Sequence, residues 1–262
     1  MSKFNIKSFF FQLFEYFICK GTALKTIRRN IQGAKFEPEC FVLDRFIKEG
    51  DVVVDIGAGY GRFALFFSRL AGKTGHVYCF EPGDFSNKVL KSVAKFHRLN
   101  NTEIYKVAVS DKVQMAKLYI PVKDGNRKPG PSLAYLTTST YVPKEYLLQD
   151  DVQVTTLDKF CEDNQITRMD FLKCDVEGGE LLFLRGAKRV LEEMKPAILF
   201  EVDPGLLDRF EHTSEDVFAF LTQLGYQAYV LHDKTFNKVD GPQPDEVNYF
   251  FVNKDSQLIQ TL

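Results

Sequence analysis

The stretch Asp51-Val-Val-Val-Asp-Ile-Gly-Ala-Gly-Tyr-Gly61 constrains this chain more than any other. A continuous β-branched run from Val52 to Val54, ended by Asp55 and a cluster of glycines, reads as a strand buried on both faces that turns sharply into a helix. Buried parallel strands need crossover helices, and the sequence supplies them. RFALFFSRLAG is amphipathic and closes at Gly72, HVYCFEP is a second apolar strand, and DFSNKVLKSVAKFHRLNN is a further helix with Asp84 or Ser86 as its N-cap. TEIYKVAVS, DVQV, RMDFLKC and KPAILFE extend the alternation, with LLFLRGAKRVLEEM expected as one helix between the last two, and YQAYVL and EVNYFFVN close it as a reversed hairpin. The expected fold class is therefore α/β, doubly wound, with a mostly parallel seven-stranded sheet of Rossmann-like type and an N-terminal helical extension.

Chain length fixes the organisation. At 262 residues the chain holds one such domain, 38–262, with an insertion at about 111–150 rich in Gly, Pro and Lys, preceded by an extension over 1–37. CFVLDRFIKEG is expected to be a helix delivering the chain to the first strand. The N-terminal FNIKSFFFQLFEYFICK is aromatic but interrupted by Lys7, Gln12 and Glu15, too polar and short for a membrane span. It reads as a packed helix or a homo-oligomer contact, or as a helix lying at a membrane surface with Phe9, Phe10, Phe11, Phe14 and Phe17 in the interface. With 34 basic against 35 acidic residues, no global charge advertises nucleic acid. The five cysteines are scattered and unpaired in spacing, which fits reduced thiols in a cytoplasm, and the four histidines lie far from any cysteine pair, so no zinc site is expected.

In open α/β sheets ligands bind beyond the carboxyl ends of the strands, so the residues just after each strand carry the functional reading. After the first strand, Gly57, Ala58, Gly59 and Gly61 permit a tight turn and close backbone approach, and the helix that follows offers free N–H groups. Compared with the dinucleotide pattern GxGxxG, the third glycine comes one position early. Asp55 beside the loop would repel a pyrophosphate but can accept hydrogen bonds from the ammonium of a methionine moiety, which points to S-adenosyl-L-methionine as cofactor. Glu81, followed by Pro82, is placed to take both hydroxyls of a ribose, and Ser110 and Asp111 to reach the adenine amino group or simply to end a strand. Asp175, Glu177 and Glu180 form a carboxylate cluster at the sheet edge, where such groups can bind an ammonium, hold a divalent cation or act as a general base. Glu180 can equally charge the first turn of the next helix. Glu201 can face the same place from the next strand, while His212 and His232 read as surface histidines.

DIGAGYG, FEP, AVSD, TTLD, LKCDVEGGE and LRGA, in this order from about Gly50 to Glu201, resemble the FkbM family of S-adenosylmethionine-dependent methyltransferases. The most specific element is LKCDVEGGE, similar to the family's K-x-D-x-E-G-x-E signature. Gly59 stands where the family usually has Asn, which removes one orienting side chain. The resemblance implies methylation of a hydroxyl of a saccharide, glycolipid precursor or secondary metabolite. It implies catalytic roles for Asp175, Glu177 and Glu201, and cofactor contacts from Asp55, Gly57, Ala58, Gly59, Gly61, Glu81, Pro82, Ser110, Asp111 and Asp175. Ser132 and Leu133 resemble a segment placed to close over the acceptor, with Lys123, Arg127 and Lys128 nearby for a phosphorylated or nucleotide-linked sugar. Two rival readings are a nicotinamide-dependent oxidoreductase or epimerase and a non-catalytic Rossmann-like module in a membrane-associated biosynthetic complex. The first lacks a Tyr-x-x-x-Lys pair, since Tyr141 is followed four positions on by Glu145. The second would have no need of intact glycine and acidic positions.

Overall fold

A computed structural model of the chain describes residues 20–26, 36–121 and 147–262. The N-terminal aromatic stretch, Cys19, Tyr141 and the loop carrying Lys123, Arg127, Lys128, Ser132 and Leu133 lie outside the described residues. Among the described residues no helix is long and apolar enough to cross a membrane, and Cys40, Cys79, Cys161 and Cys174 are free thiols, all buried.

Strands β1 (Val52–Ile56), β2 (His76–Phe80), β3 (Thr102–Tyr105), β7 (Phe171–Cys174) and β8 (Ala197–Glu201) run parallel, flanked by β9 (Tyr226–His232), β10 (Thr235–Val239) and β11 (Asn248–Asn253). The spatial order is β10-β9-β11-β8-β7-β1-β2-β3. Alternate residues of the central strands feed two separate cores. Val54, Leu172 and Ile198 pack on one face, while Val53, Phe171 and Leu199 pack on the other, which is why these strands read as unbroken apolar runs. Strand order reverses direction about β1, so the gap between the ends of β1 and β7 is the switch point of the sheet.

The doubly wound class is as expected, but the main sheet has eight strands, not seven. The additional strand is β10, which pairs with β9 as an antiparallel hairpin at the edge. The reversed C-terminal strand β11 lies between β8 and β9, antiparallel to both. A second, three-stranded sheet takes β4 (Ala108–Val109), β5 (Gln114–Pro121) and β6 (Leu147–Thr155). TEIYKVAVS is thus two strands in two sheets, because Leu118, Ile120, Val152 and Val154 form a small core of their own that Ala108 joins.

The helices α1 (Arg62–Ala71), α2 (Asp84–His97), α3 (Leu157–Asp163), α4 (Glu180–Gly186), α5 (Lys188–Met194), α6 (Pro204–Leu207) and α7 (Ser214–Gln223) cover the sheet. Three sequence expectations need correction. CFVLDRFIKEG makes two 3-10 turns, Pro38–Phe41 and Leu43–Arg45, instead of a helix. A segment this short has little helical stability of its own, and burial of Leu43, Phe46 and Ile47 sets its path, with Phe46 stacked on Phe250 at 4.8 Å. LLFLRGAKRVLEEM breaks at Ala187, next to Gly186, where a Cβ would stand 2.0 Å from the Ser110 carbonyl oxygen. The N-cap of α2 is Gly83, without a side-chain cap, and not Asp84 or Ser86.

The TTLD motif accounts for two of these helix starts. Thr156 caps α3 by accepting from Lys159 N–H, and Asp158 accepts from the N–H groups of Arg189 and Val190 at the start of α5. Asp158→Ala is expected to lower stability by about 1–2 kcal/mol in urea unfolding, whereas Asp163→Ala, which removes the exposed pair with Lys159, is expected to leave the midpoint nearly unchanged.

Candidate active site

The loop after β1 is held against its neighbours by its own backbone. Gly57 and Ala58 donate to the Phe80 carbonyl at the end of β2, and Asp175 N–H donates to the Ile56 carbonyl. Gly57 has φ +77°, and a Cβ there would stand 1.8 Å from the Asp175 carbonyl oxygen, so the β1 and β7 loops can approach this closely only through glycine. Gly61, at φ +83°, makes the same kind of approach to Leu90 of α2. Gly59 has nothing within 4 Å of its Cβ position, leaving the outer face of the loop open.

Glu81 is buried, and its two oxygens accept from Gly59 and Gly83 N–H, each at 2.9 Å. Asn87, which sequence reasoning missed, donates to the Glu81 carbonyl at 2.9 Å and fixes the strand end from α2. Burial outweighs both N–H contacts and pushes the Glu81 carboxyl up to about 8. Pro82 is half-buried beside it. Asp55 is sealed beneath the loop with both oxygens lacking hydrogen-bond partners, and burial raises it to about 6 against the attraction of Lys173. Ser110 donates its N–H to Thr155 at the end of β6, and no hydrogen bond joins Ser110 or Asp111 to Asp55 or Glu81 among the described residues.

Asp175, Glu177 and Glu201 come together: each offers an oxygen, and the three oxygens lie within 4.8 Å of one another. Lys173, a charge in the buried strand β7, donates to Asp175 at 3.0 Å and lies 4.9 Å from the centroid of the Phe63 ring. Burial works against its ammonium, but Asp175, Asp55 and Glu201 together hold it above the ordinary lysine value. Burial also opposes charge on Asp175, and Lys173 with the Glu201 hydrogen bond overcomes it and keeps the carboxyl low. Glu201 is pushed up by burial and then by the adjacent Asp175 charge. Glu177 is pushed up to about 8 by burial and then by the charges of Asp175 and Glu180, against Arg209. It also sits at φ +58°, a left-handed conformation that costs a non-glycine residue roughly 1–2 kcal/mol.

Glu180 belongs to the framework and not to this group. It is fully buried and accepts from Val176 and Gly178 N–H, shaping the loop in which Glu177 stands. Next to the three carboxyls, a cavity of about 140 Å³ opens between Phe63, Lys173, Leu199, Glu201 and Asn248. Lys173 was readable as a charge inside an apolar strand. Asn248 was not, because only the β11 register sets it opposite Glu201. His232 pairs with Glu246 on the surface and His212 stacks on Phe210, so neither enters the group.

The sequence pattern described as the methyltransferase FkbM domain matches residues 55–228, more than half of the chain. The chain belongs to the FkbM methyltransferase family. S-adenosylmethionine is the methyl donor that this membership assigns to it, and the oxidoreductase reading falls. Among solved structures, FkbM from Methylobacillus flagellatus KT is similar at 17% identity and a TM-score of 0.49, over 78% of this chain but only 44% of that protein. The O-methyltransferase of Bacillus cereus in complex with SAH is similar at 11% identity and TM-score 0.48, over 89% of this chain and 91% of that one. A SAM-dependent methyltransferase from Aquifex aeolicus is similar at 17% identity and TM-score 0.43, over 83% and 90%. No curated protein sequence matches the chain.

The residues present fit the cofactor. Each Glu81 oxygen keeps a lone pair beyond its N–H contact, and the Gly59 face of the loop is open beside it. Ribose hydroxyls, were they to donate to Glu81, would favour its ionised form, so cofactor binding at about pH 7, below a carboxyl at about 8, is then expected to release a proton. Titration of S-adenosylhomocysteine in two buffers of different ionisation enthalpy measures this release. Glu81→Gln should abolish it and weaken binding, and affinity in the native chain should rise with pH through about 8.

Proposed function

We propose that this methyltransferase is an O-methyltransferase acting on a hydroxyl of a saccharide-type acceptor, with Glu177 as the general base. The observation that carries the reading is Glu177 itself: a carboxyl near 8, in a strained backbone conformation, within 4.8 Å of Asp175 and Glu201 at the switch point of the sheet. An aliphatic hydroxyl is a weak acid and a poor nucleophile until its proton is taken, and a base with a near-neutral pKa does this best. Asp175 is held too low by Lys173 to be that base, and burial and the adjacent Asp175 charge push Glu201 further from neutrality than Glu177. When bound, S-adenosylmethionine supplies an electrophilic methyl group on a sulfonium.

The chain's residues have three tasks in this reading. Asp175 and Glu201 orient the acceptor hydroxyl, Glu177 takes its proton as the O–CH3 bond forms, and Glu81 with the Gly57–Gly59 turn holds the donor. The leaving electron pair stays on sulfur, and the products are a methyl ether, S-adenosylhomocysteine and the proton on Glu177. The FkbM sequence match and the sealed hydrogen-bond frame around the loop support the reading. The non-catalytic module has no use for a base kept in a strained conformation.

Incubation of the chain with S-adenosylmethionine and a panel of sugars, read as S-adenosylhomocysteine formed and methyl mass gained, tests it; methylation confined to amines or carboxylates would overturn the oxygen assignment. Glu177→Gln should lower kcat roughly 10²–10⁴-fold with S-adenosylhomocysteine affinity retained. In the native enzyme kcat should rise with pH through about 8 as Glu177 ionises.

A further inference from the structure

Charge is balanced over the whole chain, 34 Lys and Arg against 35 Asp and Glu, but it is not evenly spread along it. Residues 16–36 hold five Lys or Arg and no Asp or Glu, and residues 85–102 hold four and again none. The fold brings these two acid-free segments together. Helical residues 20–26 lie on α2 through Ala23, which is buried against Val89 and Val93.

The outward side of this seam is basic and apolar at once. Val89, Val93 and Phe96 recur at four- and three-residue spacing and so form one stripe of α2. Ala23 packs on the first two, while Phe96 stays 55% exposed. Leu24, next to Ala23, is 62% exposed. Lys25 follows Leu24, Lys95 precedes Phe96 and Lys91 lies one turn before Lys95, all three exposed. The acid that opens α2, Asp84, is already paired with Lys88 and Lys106.

We propose that this face docks on the surface of an anionic lipid bilayer. Exposed Leu and Phe with lysines beside them are what an interfacial element presents: the apolar side chains enter the headgroup boundary, and the ammonium groups meet the lipid phosphates. A nucleic-acid backbone would use the cations but leave Leu24 in water. In the sequence the aromatic stretch with Phe9, Phe14 and Phe17 runs directly into Lys20, so the chain joins that stretch to this face. Tyr60 of the glycine loop and Phe85 pack on the same cluster, their ring centroids 6.2 Å apart, which links the face to the cofactor loop. The surface is independent of which atom the site methylates.

Sedimentation of the full chain with vesicles, of phosphatidylcholine alone or mixed equally with phosphatidylglycerol, tests the face. Binding to the mixed vesicles is expected to be about tenfold or more tighter than to the neutral ones and to fall as salt is raised. Lys91→Glu with Lys95→Glu should weaken it about tenfold or more. Lys238→Glu with Lys254→Glu, the same charge change at two other exposed lysines, should leave it nearly unchanged. Leu24→Ser with Phe96→Ser, both exposed in the fold, should weaken it about fivefold or more. Far-UV circular dichroism checks that each variant is folded. No preference for anionic vesicles, equal loss from both lysine pairs, or loss on deleting residues 1–19 with none from the face variants would overturn the docking face. Dependence on Lys91 and Lys95 but not on Leu24 and Phe96, together with retention of a duplex oligonucleotide, would overturn it in favour of nucleic acid.

Discussion

The site depends on one buried ammonium. Lys173 stands in a strand whose other residues are Phe171, Leu172 and Cys174, and it is almost without solvent contact. Taking an amine and several carboxylates out of water costs several kcal/mol per ion, and the cost is recovered only when each charge has close partners. Here the partners come from three adjacent strands: Asp55 from β1, Asp175 from the end of β7 and Glu201 from the end of β8. Their alignment is a consequence of the parallel register, which sets Asp55 beside Lys173 and Lys173 beside Leu199 on one face. The ammonium thus ties the carboxyl ends of the central strands together electrostatically, while Phe63 from α1 closes over it.

The glycines let the backbone come close enough for this to matter. Were the β1 turn unable to touch the Asp175 carbonyl, the loops after β1 and β7 would separate and the carboxyl group would open to water. In water these carboxyls would return to ordinary values, and Glu177 would lose its match to neutral pH. Gly178 does the same on the other side, where a Cβ would stand 2.3 Å from the Leu206 carbonyl oxygen in α6. Glu177 is therefore clamped between two glycine contacts and the Glu180 cap. This over-determined frame is what sustains a strained φ in a residue with a side chain.

Periodicity made the strands, the crossover helices and the glycine turn legible, because buried parallel strands and amphipathic helices leave strong patterns. Counting strands failed at β10, whose TFNKV is mostly exposed and has no apolar run. It failed again at TEIYKVAVS, where a change of sheet has no local signature. In the site, Asp175, Glu177, Glu81 and the glycines were legible from their positions after strands. The partition among the carboxyls was not. In sequence Glu180 stood open between the carboxylate cluster and the first turn of the next helix, and only the loop path turned it inward to the Val176 and Gly178 N–H groups. Asn248 and Glu37 come from the far end of the chain and from before the first strand, so their meeting at the cavity required the register of β11.

The same electrostatics link donor and acceptor. A sulfonium is itself a cation, and a pocket rich in carboxylates next to it lowers the energy of the bound donor as well as that of the transition state. Carboxylates that were all ionised would hold that charge in the ground state and slow its transfer, since only interactions gained in the transition state speed the reaction. Three devices here limit that effect: Lys173 neutralises Asp175, burial and the Asp175 charge push Glu201 up, and burial pushes Glu177 up to about 8. The negative charge left to act is that of the base, and it is spent as the hydroxyl proton moves onto it.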